Sequence, residues 1–126
     1  MVKIKINSSL KTNEDIVLGE FLGTFDENKI FYQEDNINVT ILVEDNKIKM
    51  SRTTNDYVIE LNFALDQITK GIYDIKNHNI KMDLEVKTNI LEINNNKLFI
   101  EYELKLNDED MGVFSFEIKY EVIQWI

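Results

Sequence analysis

Ile80-Lys-Met-Asp-Leu-Glu-Val-Lys-Thr88 decides the fold. Apolar and polar residues alternate through it without a break. A period of two puts one set of side chains on a buried face of a pleated strand and the other in water. The same alternation opens the chain at Val2-Lys-Ile-Lys-Ile6. It continues at Lys47-Ile-Lys-Met-Ser-Arg52 and closes at Phe114-Ser-Phe-Glu-Ile-Lys-Tyr-Glu-Val122. No proline interrupts it. Nearly the whole chain reads as one antiparallel sheet, and a sheet this long must close or fold on itself. The expectation is all-β: a single antiparallel, mostly meander β-barrel of roughly eight to ten strands over residues 1–126.

Asp26-Glu27-Asn28, Asp35-Asn36, Asp45-Asn46, Asn94-Asn95-Asn96 and Asp108-Glu109-Asp110 separate the alternating runs. Asn and Asp tolerate left-handed backbone and bond their own main chain, which suits tight hairpins. Strands are expected at 2–10, 16–25, 29–34, 37–44, 47–53, 56–63, 67–76, 78–93, 97–107 and 112–123. Leu61, Ala64, Leu65 and Ile68 also fit a helical turn or two; the segment is read as a strand, a break and a strand. Gly19 and Gly23 share parity with Phe21 and Phe25. They either let the second strand coil across the barrel or mark a turn or bulge.

The chain carries a formal net charge of −9. That repels phosphate backbones and argues against a nucleic-acid partner. There is no cysteine, hence no disulfide and no thiolate chemistry, as is common in a reducing compartment. No run approaches the roughly 20 apolar residues of a membrane helix, and residues 1–10 lack a signal peptide's apolar stretch. A soluble cytoplasmic protein without a membrane partner is expected. Ala64 and Arg52 are the sole alanine and arginine. That usage matches an A/T-rich bacterial genome.

Parity sorts the side chains. Ile48 and Met50 point inward, with Arg52 on their face. So do Tyr57, Ile59, Leu61 and Phe63; His78, Ile80, Met82, Leu84, Val86 and Thr88; Leu98, Ile100, Tyr102, Leu104 and Leu106; and Phe114, Phe116, Ile118, Tyr120 and Val122. Lys, Glu, Asp and Asn dominate the other face. Such a split suits a closed barrel with a wet outer wall. The large inward residues favour a mostly filled interior with a limited cavity.

Phe31-Tyr32-Gln33-Glu34, Arg52, Tyr73 after Gly71, Thr88 before Ile90-Leu91-Glu92-Ile93, and Tyr102-Glu103-Leu104 resemble the YwiB-like family of bacterial proteins. The resemblance covers nearly the whole chain. It implies a calycin-like barrel, similar to lipocalins and fatty-acid-binding proteins, and no established activity. The family's glycine-rich turns are replaced here by Asn and Asp.

Arg52 is the main candidate for chemistry. An inward guanidinium needs a carboxylate, carbonyls or an anionic ligand. Glu34, sharing parity with Tyr32, is the expected partner. Alternatively Arg52 sits at the rim and reaches water, or closes a structural ion pair. Tyr32, Tyr73 and Tyr102 are expected near it, either lining a polar-ended pocket with Arg52 and Glu34 or packing in the core. His78 reads as an exposed turn residue. No HxH, HExxH or GxSxG occurs, so no metal, cofactor or catalytic residue is named. Trp125 is expected to cap the barrel base or form a subunit contact. The leading reading is noncatalytic binding of a small, partly apolar or anionic ligand inside the barrel. An interaction or scaffold protein with a filled barrel is second, with a homodimer as the candidate assembly, and an enzyme is third.

Overall fold

Ten strands follow one another up and down and close on themselves, as seen in a computed structural model that describes residues 1–125. They are β1 (Val2–Lys11), β2 (Ile16–Asp26), β3 (Lys29–Glu34), β4 (Ile37–Glu44), β5 (Lys47–Thr53), β6 (Tyr57–Ala64), β7 (Ile68–Ile75), β8 (Ile80–Asn94), β9 (Lys97–Leu106) and β10 (Glu109–Trp125). Each pairs antiparallel with its sequence neighbours, and β1 pairs with β10 to complete the ring. The result is the expected calycin-like barrel. Among the described residues no helix is long and apolar enough to cross a membrane, which says nothing about strands.

Three of the five turns work as their chemistry predicts, whereas in Asp26-Glu27-Asn28 it is Glu27 that has positive φ and none of Asn94-Asn95-Asn96 does. Asp35, Asp45, Asn46, Asn107 and Asp108 all have positive φ. The inward faces meet in one core, with Ile4, Ile6, Ile30, Tyr32, Ile48, Phe63, Ile100 and Ile118 almost wholly buried. Gly23 is required by close approach: a Cβ there would lie 2.4 Å from the Phe31 carbonyl oxygen on β3. This supports the inward placement of Gly23 and explains it by packing.

Two seams are thinly paired. β2 meets β3 only through Gly23–Asp26 against Lys29–Tyr32. β6 meets β7 only through Tyr57–Glu60 against Ile72–Ile75. The second seam is patched where its pairing stops. Asn62 Nδ2 donates to the Lys70 carbonyl at 2.9 Å, and the Thr69 hydroxyl donates to the Asn62 carbonyl. Beyond them the Ala64 N–H donates to Thr88 Oγ1 at 3.3 Å. Thr88, the buried polar residue of the core, thus joins β6 to β8 across the end of β7.

Several details differ from the sequence reading. His78 does not begin a strand; it is exposed in a one-turn 3-10 helix, Lys76–His78, and β8 starts at Ile80. Asp108-Glu109-Asp110 is not a loop throughout, because β10 begins at Glu109 and only Asn107-Asp108 turn. Val122 is 46 % exposed despite its parity, since a register shift between β1 and β10 lies beside it near the open end. Ile59 is only half-buried. Trp125 is 80 % exposed and does not cap the base. A further shift between Thr88 and Ile90 swaps the faces of β8, so that Leu91 and Ile93 pack inward.

Candidate functional site at the barrel mouth

One end of the barrel carries the β3–β4, β5–β6 and β7–β8 turns, and the last inward residues below them form a collar. Register fixes its membership. Tyr32 of β3 lies opposite Val39 of β4, and Val39 lies opposite Arg52 of β5. Glu34 sits one inward position above Tyr32, opposite Ile37. The Arg52 side chain crosses the inner face of β4 to reach it. Its Nη2 donates to Glu34 Oε2 at 2.9 Å, and both side chains are 28 % exposed. The pair therefore sits at the rim of the interior, neither in bulk water nor sealed away.

Tyr32 and Tyr102 lie below the pair. Burial pushes the Tyr32 hydroxyl up to about 12; the Arg52 charge works against this shift and Glu34 adds to it. Tyr102 is pushed up to about 12 by burial as well, again opposed by Arg52. Both phenols thus feel the same guanidinium from different walls. Phe21 stacks on Tyr32 at 5.1 Å, and Phe114 on Tyr102 at 5.4 Å. Phe63 packs against Tyr102 from a third side at 4.9 Å.

The hydroxyls of Tyr32 and Tyr102 have no hydrogen-bond partner among the described residues, whereas Tyr120 donates to the Asn95 carbonyl. Among the described residues no side-chain N or O that is closed off from solvent lacks a partner. Tyr32 and Tyr102 are 1 % and 6 % exposed, so their hydroxyls have at most a narrow opening to water. Arg52 also keeps donors to spare, because a guanidinium has five N–H groups and Glu34 takes one. The mouth combines unused donors with an apolar collar that includes Phe21, Ile37, Ile59 and Phe114.

Four of the five expected site residues come together: Arg52, Glu34, Tyr32 and Tyr102. Tyr73 does not join them. It lies across Ile59 on the side of Arg52 away from Glu34, and its ring packs beside Tyr57 at 5.7 Å. Phe21 was missed as a site neighbour; its parity with Gly23, which pairs with Tyr32, carried the signal. Buried side chains such as Ile4, Ile6, Ile41 and Ile100 pack the core below the mouth, and a cavity of about 200 Å³ lined by Phe25, Ile30, Val43 and Leu98 lies at the other end. Open grooves of about 490 and 420 Å³ lie elsewhere, and one of about 460 Å³ touches Tyr32; none is lined by Arg52, Glu34 or Tyr102. An occupant of the mouth is limited to a small group.

A family described as a domain of unknown function, DUF1934, matches residues 2–118. The barrel is similar to the crystal structure of the YwiB protein from Bacillus subtilis, with a TM-score of 0.60. The match covers 98 % of this chain and 92 % of that chain at 13 % identity, so the likeness bears on the fold alone. No curated protein matches the sequence.

Proposed function

The chain belongs to the DUF1934 family, and we propose that its barrel mouth holds the acceptor head group of a small, partly apolar molecule without transforming it. One observation carries this reading. The Tyr32 and Tyr102 phenols, unbonded to protein, both feel Arg52, whose spare donors sit half-buried at the rim of an apolar collar. Pockets that bind small molecules pair apolar walls with a few such convergent polar groups. Glu34 holds the guanidinium in place and lowers the cost of keeping it half-buried. The ligand therefore needs an acceptor, such as a carboxylate or amide oxygen, and a short apolar tail. Neither a nucleophile–base pair nor a ligand set for a metal supports an enzymatic reading. The acidic, cysteine-free composition supports a cytoplasmic setting.

The well-packed core favours a second reading, an interaction protein that works through its surface. Hexanoate and hexylamine separate the two. They share a tail, but only hexanoate offers acceptors. Titration followed by amide chemical shifts is expected to move residues around Arg52, Tyr32 and Tyr102 with hexanoate and not with hexylamine. The response is expected to vanish in Arg52→Met. If neither compound, nor hexanamide as a neutral acceptor, shifts the mouth at millimolar concentration, the binding reading fails and the surface reading stands.

A further inference from the structure

The other thin seam, between β2 and β3, is left open. β2 pairs with β1 along Ile16–Phe25, but β3 covers it only from Gly23 onward. Extending the register, Glu34 at the end of β3 comes level with Phe21. Ile16–Glu20 therefore projects beyond β3, a reach of about 17 Å at the rise of an antiparallel strand.

The direction of the free main-chain groups follows from the turn. Glu27-Asn28 is a two-residue hairpin turn, so Asp26 and Lys29 face each other as a hydrogen-bonded pair. Counting back by twos, Thr24, Leu22, Glu20 and Leu18 present their N–H and C=O groups on that same side. Thr24 is met by Phe31 of β3; Leu22, Glu20 and Leu18 meet no strand. Asp15 Oδ1 occupies the Ile16 N–H at 3.2 Å, which ends the free run there. At the β6–β7 seam three side-chain bonds replace the missing ladder, whereas no side chain bonds the main chain of Leu18, Glu20 or Leu22 among the described residues.

This edge is also apolar. Ile16, Val17, Leu18 and Leu22 are all more than half exposed, Leu18 at 76 %. Glu20 is the only charge in the stretch, and Lys5 of the neighbouring strand holds it at 2.8 Å. A groove of about 460 Å³ opens beside it on the outer wall, lined by Leu22, Thr24, Phe31 and Gln33 among others. A long, apolar, unpaired edge is what proteins ordinarily shield, because it templates pairing with another strand.

We infer that the Ile16–Leu22 edge of β2 pairs antiparallel with the same edge of a second copy of this chain, forming a two-fold dimer. The stretch is self-complementary about Gly19. In that register Leu18 of each copy faces Glu20 of the other, and Ile16 faces Leu22. No like charges are opposed, and both free edges are consumed at once, which closes the assembly. A register centred on Glu20 would set two carboxylates face to face and is disfavoured. The contact is smaller than a standard interface, so the dimer is in the micromolar range or weaker. Each copy carries a charge of −9, so added salt strengthens the dimer by screening this repulsion. A basic peptide bound at the same edge would show the reverse dependence.

Sedimentation equilibrium of the full chain, from micromolar to several hundred micromolar at low and moderate salt, tests the inference. A monomer–dimer equilibrium that tightens with salt is expected. Leu18→Pro removes an N–H only on the free side and is expected to weaken the dimer at least about tenfold with an unchanged circular dichroism spectrum. If that variant fails to fold, a charge pair reads the register instead. Ile16→Lys with Leu22→Lys is expected to weaken association about tenfold, and Ile16→Lys with Leu22→Glu to restore it, because these positions face each other between copies. A chain that stays monomeric throughout, a dimer indifferent to these substitutions, or one weakened by salt overturns the inference. The mouth residues are untouched, so hexanoate binding and dimerisation fail or stand separately.

Discussion

Arg52 and Glu34 meet over an intervening strand, Nη2 to Oε2 at 2.9 Å, rather than between adjacent strands. Each side chain crosses part of β4 on the inner wall, so the pair ties β3 to β5 above the buried Val39. At 28 % exposure for both, it lies between the surface case and the sealed one. Exposed pairs couple by about 0.2–1 kcal/mol, while breaking a sealed pair costs about 3–5 kcal/mol. Arg52→Met is therefore expected to cost about 2 kcal/mol in urea unfolding. The double change with Glu34→Gln is expected to lose less than the sum of the single changes, a coupling of about 1 kcal/mol. Strict additivity would mean that the two groups do not support each other.

The buried phenols make stability depend on alkaline pH. Tyr32 and Tyr102 are held neutral in the fold, each pushed up to about 12 from an ordinary value of 10.0, chiefly by burial. Their folded pKa exceeds the unfolded one, so the folded state retains protons that the unfolded chain releases between these values. The associated stability is complete below about pH 10 and lost as pH rises towards 12, on the order of 2 kcal/mol per residue. Urea midpoints are expected to be flat from pH 8 to the onset of phenol ionisation and to fall steeply above it. Replacing both with Phe is expected to flatten the fall, at little cost near neutrality because neither hydroxyl bonds protein. An unchanged alkaline slope in that variant would assign the loss to other groups.

The alternation made the strands legible because a period of two, repeated with Asn and Asp turns, leaves few ways to close a sheet. Even the ambiguous segment near Leu65 resolves as a strand, a break and a strand, with Asp66 at positive φ in the turn. The Arg52–Glu34 pair was legible because an inward arginine needs an acid and Glu34 had matching parity nearby. Tyr73 was misplaced because parity gives the face of a residue and not the side to which Arg52 turns: Tyr73 is level with Arg52 but lies across β6, away from Glu34. Val122 and Leu91 were obscured by bulges, which shift the face without any required residue type. The open β2 edge left no mark on the sequence, since alternation is the same whether or not a strand has a neighbour.

The core and the outer wall are expected to respond differently to truncation. Ile100 and Phe116 face one another across β9 and β10, both buried. Ile100→Ala is expected to cost about 2–5 kcal/mol and Phe116→Ala about 3–5 kcal/mol. Glu85 on the outer wall meets Lys105 only at 4.0 Å, and Glu85→Ala is expected to change stability by less than about 0.5 kcal/mol. Thermal melts of the three variants check the inward register directly. Equal losses at Glu85 and Ile100 would contradict it.

Thr88 is the most exacting single position. Its side chain is shut off from solvent, and its Oγ1 receives the Ala64 N–H at 3.3 Å where β7 no longer covers β6. Its main chain also bonds the turn, receiving the Asp66 N–H and donating to the Gln67 carbonyl. Thr88→Val keeps the shape and those main-chain bonds but removes the acceptor. The Ala64 N–H is then stranded in the core, at an expected cost of about 1–3 kcal/mol. Thr88→Ser keeps the acceptor and loses one methyl group, about 0.8 kcal/mol by transfer alone. Val is thus expected to be worse than Ser, the reverse of what hydrophobicity would give. Hydrogen exchange supplies the second readout: the Ala64 amide is expected to exchange faster in the Val variant and to stay protected in the Ser variant. If Val equals or exceeds the parent in stability and protects Ala64, the seam is held by packing and the Thr88 hydroxyl has no part in it.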